Sequence, residues 1–138
     1  MAASDEQAVR EAAARFYEAL NAIFRGDTAP MAAMWSHADD VIYIGPDGGF
    51  RSGWAEVFAA WQAQAAMKLG GEVKPDGMRI TPGRDLAATH SLVRGHNFDA
   101  HGTRHEVAIR DTNLFRKEDG EWKMIACHSD VLPFIGQS

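Results

Sequence analysis

From residue 72 onward the chain alternates apolar and polar residues in four runs, 72–80, 85–98, 103–116 and 121–132. Successive side chains of an extended strand point to opposite faces, so each run predicts a strand with one side facing a core. Between them lie "TPGRD", "DAHG" and "KEDG", which carry the Gly, Pro and Asp of tight turns. Strands joined so closely pair antiparallel. A meandering sheet is therefore expected, and the rest of the chain must cover one of its faces.

The preceding residues carry a helical period instead. Ser4 and Gln7 have capping-box spacing, and Val9, Ala12, Phe16, Leu20 and Ile23 recur on one helical face until Gly26. Asp27 or Thr28 can cap a short second helix with Pro30 in its first turn. "VIYIG" and "FRS" flank a "PDGG" turn as two short strands. Ser52 can cap a third helix with Trp54, Val57, Phe58, Trp61 and Ala65 on its apolar side, ending at Gly70-Gly71. Helices first and strands afterwards predict an α+β fold, a curved antiparallel sheet wrapped around N-terminal helices.

With 138 residues and no linker or repeat, one domain spanning 1–138 is expected. A net charge of −5 with scattered Lys and Arg argues against nucleic acid as a partner. Nothing approaches the ~18 apolar residues of a membrane span. The charged, periodic N-terminus is unlike a signal peptide. Cys127 is the only cysteine, which rules out an intrachain disulfide and fits a reducing, cytoplasmic setting.

The chemistry resides in the strands. "EWKMIACHSDVLPF" (121–134) reads as a core strand but carries His128 and Asp130. A turn centred between Ala100 and His101 would pair His90 with Asp111 and Arg94 with Val107. A four- or two-residue loop at "KEDG" would then bring His128 and Asp130 onto the face of His90, Arg94, Asp111 and Asn113. An unbulged three-residue loop would turn His128 to the other side. On that shared face His128, His90 and Asp111 are the candidate catalytic groups, since a carboxylate beside two imidazoles can fix a tautomer and raise basicity. The bland alternative is that they merely satisfy one another in a core. The same three could form a two-histidine, one-carboxylate metal set, but no tighter His or Cys spacing supports it, so no metal and no cofactor is expected. Arg94 would bind an anionic ligand oxygen or pair with Asp130. Tyr17, Trp35, Trp54, Phe58 and Asn113 are the further candidate ligand-binding residues, and Tyr17 or Tyr43 could donate a hydroxyl to a carbonyl oxygen.

The stretches "FYEALNAIFRGD", "MAAMWSHADDVIYIGPDGGFRSGWAEVFAAW" and "LFRKEDGEWKMIACHSDV" occur in an order that resembles the SnoaL-like branch of the nuclear transport factor 2-like superfamily. The resemblance covers nearly the whole chain and implies a cone-shaped α+β fold with a deep pocket, usually dimerised through the convex sheet face. It implies no single reaction, because relatives include ketosteroid isomerases, polyketide cyclases, scytalone dehydratase, epoxide hydrolases and non-catalytic binding domains. The expected activity is cofactor-free acid/base chemistry (isomerisation, cyclisation, dehydration or hydrolysis) on a small apolar or amphipathic organic ligand, by a homodimer. The competing expectation is a ligand-binding or dimerisation module without catalysis.

Overall fold

The computed structural model describes residues 3–131, with side chains from Asp5 onward. Helix α1 (Ala3–Phe24) is followed by α2 (Ala29–Met34), the short strands β1 (Ile42–Ile44) and β2 (Phe50–Ser52), and helix α3 (Trp54–Met67). Strands β3 (Glu72–Thr81), β4 (Leu86–Phe98), β5 (Arg104–Glu118) and β6 (Glu121–Val131) complete the order. The six strands form one curved, unclosed sheet in the order β2-β1-β6-β5-β4-β3. The expected α+β architecture is present. One pair departs from the all-antiparallel expectation: β1 runs parallel to β6. The chain leaves β2 into α3 and returns through the whole meander, so the last strand arrives alongside β1 from the same direction.

Helix α1 builds the core. Val9, Ala12, Ala13, Phe16, Leu20 and Ile23 are buried along one stripe, and α1 touches α2, α3, β3, β4 and β6. Asn21, near its end, stitches it to the sheet edge: Nδ2 donates to the Val73 carbonyl at 3.0 Å, and Oδ1 accepts from the Val73 N–H at 2.8 Å. An edge strand leaves such backbone groups unpaired, and one amide side chain satisfies both. Gly26 then stops the helix at φ +93°, as its sequence position predicts.

Two local expectations, the caps of the first and third helices, are corrected, and of the two candidates at the second helix the structure selects Asp27. The helix begins at Ala3, so Ser4 lies within it, and the Ser4 side chain lies outside the described residues. At α2 the N-cap Thr28 makes no side-chain bond, and Asp27 Oδ1 accepts from the Ala29 N–H at 3.0 Å instead. At α3 the N-cap is Gly53 at φ +87°, not Ser52; the backbone N–H of Ser52 donates to Glu56 Oε1 at 3.0 Å. The same helix ends at Met67 with Lys68 in the left-handed region, ahead of Gly70-Gly71.

The register is what positions the chemistry, and it differs from the expected one by one residue in two places. Between β4 and β5, His90 pairs with Thr112 and Ser91 with Asp111. The connecting loop has an odd number of residues, 99–103. Asp99 Oδ1 accepts from the N–H groups of His101 at 2.8 Å and Thr103 at 3.0 Å, and Gly102 takes φ +79°. Between β5 and β6 the turn is the two-residue Asp119-Gly120, both with positive φ, which suits a tight hairpin. A bulge follows: Leu114 faces Ala126 while Phe115 faces Met124, leaving Ile125 extra. Beyond it Thr112 pairs with His128 and Asp111 with Ser129. A one-residue slip moves every side chain to the other face.

Candidate functional site

Two faces result, with different chemistry. On the outer face Arg79, His90, Thr112 and His128 lie in one row across four strands. They border an open cleft of about 460 Å³ together with Arg110 and Asp130. The expected grouping of His90 and His128 with Asp111 is therefore corrected, because both histidines are exposed on the side opposite that carboxylate. The same slip separates His90 and His128 from Asp111 as a possible ligand set. Among the described residues no three His, Cys, Asp or Glu side chains are arranged to hold a metal ion. Arg94 also faces outward and pairs with Asp76 at 3.4 Å, while Asp130 pairs with Arg110 through a 2.8 Å contact.

On the inner face the strands place polar residues two apart: Thr89 and Ser91 on β4, Asp111 and Asn113 on β5, Cys127 and Ser129 on β6. All six are buried. Asp111 is the focus of the first row. Ser129 Oγ donates to its Oδ1 at 2.5 Å, and the Tyr17 hydroxyl, reaching down from α1, donates to Oδ2 at 3.1 Å. Because the single proton of Tyr17 is committed, Ser91 donates to Tyr17 Oη at 2.8 Å. By the same logic the Cys127 thiol donates to Ser129 Oγ at 3.5 Å. The chain of donors runs from both sides and ends on one carboxylate.

Burial and hydrogen bonding pull the Asp111 pKa in opposite directions, and burial wins. Desolvation raises it above the ordinary carboxylate range, Ser129 and Tyr17 draw it partly back, and the charge of Asp130 adds slightly to the rise. Tyr17 is pushed upward by burial and then by the Asp111 charge, so it stays a donor. Burial likewise pushes Cys127 up, and its thiol is no nucleophile at neutral pH. In the second row, both amide atoms of Asn113 and the hydroxyl of Thr89 are fully buried and meet no partner among the described residues.

A cavity of about 190 Å³ opens beside the first row, with Asp111, Cys127 and Ser129 in its wall. Phe16, Leu20 and Phe24 of α1 line one side, and Val107, Ile109 and Leu69 another. Trp61 and Tyr43 close it, stacked at 4.4 Å between ring centres, with Gln64 Nε2 donating to Tyr43 Oη at 2.8 Å. Burial raises the Tyr43 pKa as well, so the phenol keeps its proton. Of the expected ligand residues, Tyr17 and Asn113 are on the inner face. Trp35 is core, donating Nε1–H to Met31 Sδ at 3.2 Å, and Trp54 stacks between His37 and Phe58 at the start of α3. None of Trp35, Trp54 and Phe58 lines the cavity. Ser91, Ser129, Trp61 and Gln64 were not anticipated. The signal for the serines was the pattern polar-x-polar repeated in three consecutive strands.

The profile of the SnoaL-like domain matches residues 9–132. The chain belongs to the SnoaL-like family. Solved structures agree on the fold across the whole chain. A proposed dehydratase of the NTF2-like family from Streptomyces avermitilis superposes with a TM-score of 0.84 at 21% identity, covering 96% of this chain and 99% of that one. An NTF2-like superfamily protein from Salmonella enterica serovar Typhimurium gives 0.81 at 14% identity, covering 99% and 98%. The association domain of C. elegans CaMKII gives 0.73 at 14%, covering 93% and 98%. At such identities the likeness speaks for the fold alone. No curated protein matches the sequence.

Proposed function

We propose that this SnoaL-like protein performs cofactor-free acid/base chemistry on a small organic molecule held in the inner cavity, with Asp111 as the group that takes and returns the proton. The observation that carries this reading is a buried carboxylate of raised pKa in the wall of a cavity otherwise lined mainly by apolar side chains. In the ionised state Asp111 accepts a proton from the carbon beside a carbonyl. The C–H electron pair becomes the C=C of an enolate, with the negative charge on oxygen. Return of the proton at a different carbon is isomerisation; transfer of the same proton from Asp111 to a β-hydroxyl, whose C–O bond breaks as water leaves, is dehydration. Tyr17 and Ser129 fix the carboxylate, and Ser91 fixes Tyr17. His90 and His128 take no part in this scheme, since they lie on the outer face.

Deuterium incorporation next to the carbonyl of small cyclic ketones, followed by proton NMR in D2O, tests this without the natural substrate. The wild-type protein should exceed the buffer rate. Asp111→Asn should lose about a hundredfold or more of that acceleration, the scale of general-base catalysis, while His90→Gln and His128→Gln stay close to wild type. Exchange that survives in Asp111→Asn, or vanishes in His128→Gln, would refute the assignment.

A second reading, a module that binds and associates without turnover, has support from the outer face. Leu86 and Leu114 are exposed there, and an association domain shares the fold. Ligand retention with no exchange in any variant, together with self-association lost on Leu114→Glu, would favour it.

A further inference from the structure

The outer cleft carries side chains that the inner chemistry does not use, and three separate irregularities of the sheet put them there. The odd-length loop 99–103 turns His90 outward, and the extra residue Ile125 does the same for His128. A further bulge lies in β3, where Asp76 faces Leu92 but Arg79 faces His90, so β3 contains one residue more than β4 over this stretch. Without it Met78 would stand opposite His90 and Arg79 would turn toward the core. Instead Met78 packs against the core and Arg79 is exposed. The result is the row Arg79, His90, Thr112 and His128 on four neighbouring strands, each ~4.8 Å from the next.

Charge balance decides what such a cleft takes. The two carboxylates that face outward beside the row are already paired. Asp130 accepts from Arg110 Nε at 2.8 Å, and Asp76 lies 3.4 Å from Arg94. Arg110 uses Nε and Nη2 on Asp130, which leaves Nη1. Ser91 and Asp111 also border the cleft, but their side chains are engaged on the inner face. Among the described residues Arg79, His90 and His128 make no ion pair and no side-chain hydrogen bond. The cleft therefore presents one unmatched guanidinium and two imidazoles that gain charge as pH falls, in a chain whose net charge is −5. Arg79, His90 and Thr112 stand on three consecutive strands, so a group seated over His90 is within reach of donors on both sides. A tetrahedral phosphate has enough acceptor oxygens for all three; a planar carboxylate has two. The volume of about 460 Å³ exceeds what a lone ion fills and falls in the range of small-molecule sites, with half-buried Leu92 available to an organic portion.

We infer that the outer cleft is a second ligand site, for a small phosphate ester whose phosphate sits over His90 between Arg79 and Thr112, with His128 at the far end. This inference is independent of the acid/base reading, because the cleft and the inner cavity lie on opposite faces of the sheet.

Methyl phosphate, methyl sulfate and acetate, titrated into the full chain at pH 7.0 in 0.1 M NaCl, test it. The readout is the ring ¹H–¹³C resonances of His90 and His128, assigned by their loss in His90→Gln and His128→Gln. Methyl phosphate should saturate, moving both rings with one dissociation constant. It should bind at least about fivefold more tightly than methyl sulfate, which has the same shape and less negative charge. Arg79→Gln should weaken it about tenfold, as loss of a charge-assisted hydrogen bond requires. Lys74→Gln removes a cation from the same face but outside the cleft, and should change binding by less than about twofold, since charges beyond ~10 Å are screened at this salt. The charge of methyl sulfate is fixed, so its binding should tighten about threefold or more from pH 8 to pH 6 as the imidazoles take up protons, and the double variant His90→Gln/His128→Gln should lose that dependence. Shifts that never saturate, or an equal loss in Lys74→Gln and Arg79→Gln, would overturn the inference in favour of diffuse attraction to a surface. Binding untouched by Arg79→Gln would overturn it too, and tighter binding of acetate would overturn the ligand class.

Discussion

Asp111 has two hydroxyl donors on its oxygens and, among the described residues, no ion-pair partner. Hydrogen bonds to a carboxylate stabilise its charged form, and removal from water destabilises it. The net rise in its pKa says that desolvation is the larger of the two. A raised native pKa means the folded state holds the proton more tightly than the unfolded chain, whose Asp titrates near ~3.9. The stability this contributes is fully present below that value and is lost as pH rises through the native pKa. Asp111→Asn cannot titrate and escapes the loss. Its melting temperature relative to wild type should therefore climb between pH 4 and pH 8, as calorimetry at several pH values would show. A constant difference would mean that the carboxylate is solvated. Such a gain in stability on losing the proposed base is the usual trade between a strained site and its activity.

At the scale of elements, the four strands and the first helix are legible in the sequence because periodicity is a local property. The runs ending at Phe98 and beginning at Arg104 could be placed to within a residue or two. Which face each residue takes is not local. It depended on one carboxylate, Asp99, folding the hairpin loop to an odd length, and on Ile125 bulging out of β6. Neither is written in the alternation, and each reverses the facing of everything beyond it. Asp111 and Asn113 could be singled out from type alone; Ser91 and Ser129, which share their buried face, could not be chosen without the register. The close approach of β3 to β4 offers a test of how tightly that register is held. Gly95 pairs with Val73, and a Cβ there would fall on the Glu72 carbonyl oxygen and 2.7 Å from Val73 Cα. Both are backbone atoms and cannot swing aside. Gly95→Ala should cost about 1–3 kcal/mol, the range for overpacking, measured by urea unfolding. A neutral substitution would mean that β3 is free to slide.

Across the whole molecule, charge is sorted by face. Asp40, Asp47, Asp99 and Asp130 all titrate below the ordinary carboxylate range, each first because of a hydrogen bond from Arg116, Arg51, His105 or Arg110 respectively. These pairs are largely exposed, and exposed pairs contribute little individually. Arg116 does more by position, since it reaches Asp40 at 2.7 Å and Glu118 at 2.9 Å and so ties the segment before β1 to the end of β5. Among the described carboxylates with a resolved shift, Asp111 alone moves upward. Composition and net charge could not reveal this, because an acidic count does not say which carboxylate the fold encloses. The central claim is that the chemistry lies on the inner face at that residue. Its most direct test is a carboxyl ¹³C NMR titration of Asp111 in the wild-type protein and in Tyr17→Phe, His90→Gln and His128→Gln. A midpoint above ~3.9 is expected, with a further rise in Tyr17→Phe and no change in either histidine variant. A midpoint at or below the ordinary value, or one that moves with His90 or His128, would contradict it.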